Sequence, residues 1–171
     1  MHYLGIDLSK ATLDVSDASG TSRLSSANSR PGARRIVEWA QARHEGELRF
    51  VIEPTSTYHH LLVVELNRKG LPYTLVNPAH TAAFATVQGK RAKTDRGDAH
   101  LLADYGASQG SQVTPPPDQD QERVKSLRRH LVWLEREARS ARNRLETARR
   151  SPWTLPEVLE SLERTATALE E

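Results

Sequence analysis

The apolar residues Val124, Leu127, Leu131, Leu134, Ala138, Ala141, Leu145 and Ala148 recur at intervals of 3, 4, 3, 4, 3, 4 and 3. A seam of that period exists only on a helix, so this stretch belongs to one long rod and cannot enter a sheet. Ser151-Pro152 breaks the pattern, and Thr154 with Glu157 has capping-box spacing for a second helix, whose Leu155, Leu159, Leu162, Ala166 and Leu169 continue at 4, 3, 4 and 3. Two such helices close on each other as a hairpin or pair with another chain.

Ahead of the rod stands Gly110 to Gln121 with Pro115-Pro116-Pro117, a stiff polar stretch. The expected organisation is a domain over residues 1–110, a linker over 111–121 and a helical coiled-coil or hairpin segment over 122–171. In the first domain the hydrophobic period alternates. Tyr3 to Asp7, Leu13 to Ser16 and Thr21 to Ser26 read as three strands of a meander, Pro31 to Arg43 as a helix, and Leu48 to Ile52 as a strand buried on both faces. A helix over residues 58–69 follows, with Leu62, Val63 and Leu66 inward, Glu65 and Arg68 outward and Gly70 as its cap. Tyr73 to Val76 is the next strand, ended by Asn77-Pro78. Gln88 to Thr94 reads as a loop, and residues 95–108 as a helix with Ala99, Leu102, Ala103 and Gly106 on a narrow stripe.

The 171 residues carry a formal net charge of +2, an average that hides segregation. Residues 1–120 hold 13 basic and 13 acidic side chains; residues 121–150 hold 10 and 4, net +6; residues 151–171 hold 1 and 5, net -4. The basic block is nearly all arginine, whose forked guanidinium suits phosphate. The chain has no cysteine, which excludes thiolate metal sites and cysteine nucleophiles. No apolar stretch approaches the ~20 residues of a membrane span, the N-terminus lacks a signal-peptide pattern, and the expected location is the cytoplasm.

The order strand, strand, strand, helix, strand, helix, strand, helix, with Asp7 ending the first strand and Glu53 the fourth, matches a ribonuclease H-like α/β architecture: a mixed sheet flanked by helices, here followed by the coiled-coil segment. In that architecture the two strands are neighbours, which sets the two carboxylates about one strand spacing, roughly 5 Å, apart. Carboxylates that close repel unless a cation lies between them. A pair of Mg²⁺ ions would relieve the repulsion and clamp both oxygens of a phosphodiester exchange. Asp95 and Asp98, three apart at a helix start, add two acids on one face. Lys10, Lys90, Arg91, Lys93 and Arg96 cluster around the acids in sequence and suit phosphate contacts.

Gly5-Ile-Asp-Leu-Ser-Lys10, Glu53-Pro-Thr-Ser-Thr-Tyr58, Asn77-Pro78 and Lys93-Thr-Asp-Arg-Gly-Asp-Ala99, in that order, resemble the motifs of the IS-one-ten (Piv-like, DEDD) transposases. The resemblance extends to Leu127-Arg-Arg and Arg142-Asn-Arg-Leu145 of the rod. It implies a RuvC-like catalytic domain in which Asp7, Glu53, Asp95 and Asp98 bind Mg²⁺, with Mn²⁺ as the alternative ion, and a DNA recombinase that moves an insertion sequence. It also implies guidance by an element-encoded structured RNA and a homo-oligomer, dimer or tetramer, formed through the helical segment. The nucleic-acid contacts then fall to the basic residues around the acids and to Arg128, Arg129, Arg136, Arg139 and Arg142. Two departures stand out: Ser56 occupies a turn position where the family usually has glycine, and the family's second domain, which contributes a catalytic serine, has no counterpart here. The expectation is therefore the metal-binding part of a longer protein.

Three other functions fit parts of the pattern. A stand-alone junction nuclease would share the fold, and a non-catalytic fragment that binds RNA or DNA and dimerises would share the rod. A sugar-kinase or actin-like ATPase also opens on Gly-Ile-Asp, but its phosphate loop needs glycines that Leu8-Ser9-Lys10 lacks.

Overall fold

The computed structural model describes residues 1–89, 95–110 and 112–170, the side chains of 95–97 excepted. It divides into two compact units, Met1–Pro116 and Pro117–Glu171. The first contains β1 (His2–Leu8), β2 (Thr12–Asp17), β3 (Arg23–Ala27), α1 (Arg30–Arg43), β4 (Leu48–Ile52), α2 (His60–Arg68), β5 (Tyr73–Leu75), α3 (Pro78–Val87) and α4 (Asp95–Gln109). The strands form one five-stranded sheet in the order β3-β2-β1-β4-β5. β1, β2 and β3 pair antiparallel, while β4 joins β1, and β5 joins β4, in parallel. This is the mixed, RuvC-like sheet that the sequence order implies, with the first and fourth strands side by side.

Period-2 alternation gives the sheet two different faces. Leu4, Ile6, Leu13, Val15, Phe50 and Ile52 share one face and pack with Ile36, Val37 and Ala40 of α1 and Leu62 and Leu66 of α2. Tyr3, Gly5 and Asp7 of β1 point to the other face, where Val51 and Val76 meet Leu102 and Tyr105 of α4. There the backbones come close. A Cβ on Gly5 would lie 1.9 Å from the Ala99 carbonyl oxygen, and one on Gly106 would lie 2.7 Å from Tyr3 Cδ1. Only glycine at these positions lets α4 lie on β1, and the stripe Ala99, Leu102, Ala103 and Gly106 faces the sheet as expected.

Two local expectations are corrected. Asn77-Pro78 not only ends β5 but also starts α3: Asn77 Oδ1 accepts from Ala79 N at 2.9 Å and Pro78 fills the first turn. Among the described residues Thr81 is the one buried side chain of α3, so no apolar stripe advertised the helix. Glu65 does not point outward. It is buried, and Arg68 donates to both its oxygens, at 2.6 and 3.0 Å, holding the carboxyl below its ordinary pKa chiefly through those hydrogen bonds. The Pro-rich stretch begins against the sheet, because Thr114 N donates to Tyr73 O at 2.8 Å and Leu75 N donates to Thr114 Oγ1 at 2.8 Å.

The second unit is a helical hairpin of α5 (Gln119–Arg150) and α6 (Pro156–Ala168). Asp118 caps α5 by accepting from Asp120 N at 2.9 Å. The expected capping box does not form: α6 begins at Pro156 with Leu155 at its N-cap, since proline's fixed φ starts the helix there. Ala141 and Leu145 of α5 pack with Ala166, Leu159, Leu162 and Leu169. Arg142 meets Glu170 at 2.9 Å and Arg149 meets Glu163 at 2.7 Å, so the acidic last segment partly neutralises the end of the basic rod.

Candidate active site

The β1–β4 ladder pairs His2 with Leu48 through to Ile6 with Ile52. The next residues in that register are Asp7 and Glu53, on the face that α4 covers. Parallel strands lie about 4.8 Å apart, so the backbone at half-buried Asp7 and Glu53 leaves the C-terminal ends of β1 and β4 side by side. α4 runs antiparallel to β1, because Gly106 lies over Tyr3 and Ala99 over Gly5. Its N-terminal turn therefore arrives at the Asp7 end of the strand. Half-buried Asp98 immediately precedes Ala99, and Asp95 opens the helix, its side chain lying outside the described residues. Among the described residues no group of three or more His, Asp or Glu side chains stands close enough to hold an ion. The donor chemistry nonetheless fits a hard cation: two carboxylates on adjacent strand ends with a third on the facing helix.

Three supporting residues were not singled out from sequence. Thr81 of α3 is buried and its hydroxyl lies in a very short contact with Glu53 Oε2 and 3.0 Å from Pro78 O. α3, which begins where only the end of a strand was expected, thus holds the Glu53 carboxylate. Asn28 ties the two acid-bearing loops together, its Nδ2 donating to Ser9 O at 2.7 Å and Tyr58 O at 3.0 Å. Asp14 pairs with Asp7 across β1 and β2 and shares its face. The alternation of Asp14 with Leu13 and Val15 carried that signal; nothing local marked Thr81 or Asn28.

Ser9 closes the β1–β2 turn, accepting from Thr12 N at 2.9 Å, and Lys10 is exposed at its tip. Lys90, Arg91 and Lys93 lie outside the described residues, as does the side chain of Arg96. Arg128, Arg129, Arg136 and Arg139 are exposed on α5, whereas Arg142 is engaged by Glu170. The His59 and His60 rings meet edge to face with centroids 4.6 Å apart.

A family model described as transposase, that of the DEDD transposases of the IS-one-ten type, matches residues 4–148. The chain belongs to the IS-one-ten family of DEDD transposases. It is 30% identical over 148 residues to the pilin gene-inverting protein of Moraxella bovis and 29% identical over the same length to that of Moraxella lacunata. Each match covers 84% of this chain and 46% of the relative, so the chain spans about half the length of these curated relatives. Within this transposase fold the Ser56 departure acquires a physical meaning: Ser56 has φ +51°, the left-handed region that favours glycine. Among the described residues no helix is long and apolar enough to cross a membrane.

Proposed function

We propose that this chain is the metal-binding part of a DNA recombinase, and that Asp7, Glu53, Asp95 and Asp98 form its carboxylate site. The observation that carries the reading is the register of β1 against β4, which aligns Asp7 with Glu53 where the N-terminus of α4 arrives. Family membership supports it, as do relatives named for inverting a pilin gene. The carboxylates would hold Mg²⁺ or Mn²⁺, whose chemistry there is Lewis-acid polarisation of a phosphoryl oxygen. Thr81 holds the Glu53 carboxylate in place, so that its other oxygen stays available for the ion.

The substrate proposed is DNA at the ends of an insertion sequence, selected through a structured guide RNA. The arginine-rich α5 supports a polyanionic partner, and the exposed seam residues Val124, Leu127 and Leu131 support a homo-oligomer formed through the helical unit. The test is strand exchange on a plasmid substrate by the full-length recombinase carrying Asp7→Asn or Glu53→Gln. Both variants should lose recombination by three orders of magnitude or more while keeping their melting temperature within a few degrees. Recombination that survives either change would refute the site. A thermal shift with Mn²⁺, present in the wild type and lost in both variants, gives an independent readout.

A further inference from the structure

The ten basic residues of α5 divide into two groups. Arg142 and Arg149 pair with acids beyond the α5–α6 connection, and Arg150, Arg123 and Lys125 pair with acids of α5 itself. Among the described residues, Arg128, Arg129, Arg136, Arg139 and Arg144 have no carboxylate within the 4.0 Å of an ion pair. Four of these five share one side of the helix. Arg136, Arg139 and Arg144 line a groove of about 630 Å³ with Asn143, Thr147 and Thr154, and no acidic residue lines it. Arg129, Trp133, Arg136 and Ser140 stand at helical spacings of four, three and four, so they continue the same face toward the N-terminus of α5. That face is not the seam: Ala138, Ala141 and Leu145 point elsewhere, into the hairpin.

Trp133 is the unexpected member. It is 51% exposed, lies off the seam, and has one ring face stacked on His130, with centroids 5.5 Å apart and planes 19° from parallel. An exposed indole held flat by a second ring, with arginines at i-4 and i+3, presents a stacking surface between two cationic arms. Unpaired bases stack on such surfaces, and a paired duplex offers none to them. The arginines from 136 to 144 span about 12 Å of helix axis, a length that several consecutive phosphates of one strand can match.

We infer that this outer face of α5 is a track for a single-stranded nucleic-acid segment, with Trp133 stacking one unpaired base and Arg136, Arg139 and Arg144 contacting phosphates. The inference rests on reading the chain as part of a nucleic-acid recombinase, and it names a partner and a surface which that reading leaves open. RNA and DNA strands share the recognised chemistry, so both serve as probes.

The experiment measures fluorescence anisotropy of labelled single-stranded RNA, single-stranded DNA and duplex DNA, all of equal length and mixed sequence, against the full chain at several salt concentrations. Trp133→Ala should weaken single-strand binding about tenfold, and Trp133→Phe should keep most of it. The triple variant Arg136→Gln, Arg139→Gln, Arg144→Gln should flatten the salt slope by about 2, the value for three single-strand phosphates at ~0.7 each. The matched triple Arg123→Gln, Arg149→Gln, Arg150→Gln, all ion-paired, should leave that slope in place. Equal losses from the two triples, or duplex bound as tightly as single strands, would overturn the track. Tighter binding of RNA would assign it to the guide, and tighter binding of DNA to a target strand. Asp7→Ala should keep this binding, so the track and the carboxylate site can fail separately.

Discussion

The two units solve the same problem of apolar burial to different degrees. In the sheet unit both faces are covered: Leu4, Ile6, Phe50 and Ile52 are fully enclosed under α1 and α2, and Val51 lies beneath α4. In the hairpin α6, at 13 residues about 20 Å long, covers only the last part of the 32-residue α5. Ala138, Ala141 and Leu145 are buried, while Val124, Leu127 and Leu131 each remain more than half exposed on the same seam. A closed core fixes the position of a carboxylate. A half-open seam leaves surface for association, and the hairpin carries Arg136, Arg139 and Arg144 on the face away from that seam, whereas Asp7 and Glu53 stand at the strand ends of the closed unit.

The contrast can be broken hardest at Gly5. Gly5→Ala drives a methyl into the Ala99 carbonyl, which is backbone and cannot rotate away. The expected cost is about 3 kcal/mol or more, at the upper end for overpacking, and it should fall on the sheet unit alone. Gly106→Ala meets the side chains of Val51 and Tyr3 instead and should cost less. Chemical denaturation followed by the fluorescence of Trp39, beside α1's core, reads the sheet unit. An unchanged midpoint for Gly5→Ala would show that α4 does not lie against β1.

Next in size is a pair of substitutions on one seam. Leu145→Ala removes a buried side chain and should destabilise the hairpin by about 2 kcal/mol. Leu127→Ala, which truncates an exposed one, should change stability by less than about 0.5 kcal/mol in dilute monomer. A concentration-dependent loss at Leu127 would mean that the open seam is covered by another copy in solution. Sedimentation at two protein concentrations separates the cases.

The difference between the units also explains what was legible in the sequence. Strands β1 and β4 announce themselves as apolar runs ending in acids, and the register that aligns Asp7 with Glu53 follows once the element order suggests the fold. The seam of α5 was visible for the same reason: its period repeats. Thr81 was not, because α3 is rich in small residues, mostly exposed and without a stripe, so its role depends on a tertiary contact with a residue 28 positions away. Asn28 likewise bridges loops that are distant in sequence. Glu65 was misread because a carboxylate off an apolar stripe normally faces water, whereas here bidentate donation from Arg68 offsets its burial. Thr81→Val tests the first of these: loss of a hydrogen bond to a partly buried carboxylate should cost about 1.5 kcal/mol. It should also weaken the Mn²⁺-dependent thermal shift, while Thr81→Ser restores both.

The smallest effect has the opposite sign. Ser56 lies between Glu53 and Tyr58, and its φ of +51° sets its Cβ against the backbone. Replacing it by glycine removes that clash but adds freedom to the unfolded chain, two terms of similar size and opposite effect. For a residue already in the left-handed region relief of strain outweighs the entropy, so Ser56→Gly should stabilise the sheet unit by about 0.5 kcal/mol. The shift in denaturation midpoint is small but signed. A destabilising result would mean that the serine side chain compensates its own backbone, and that the loop carrying Glu53 depends on it.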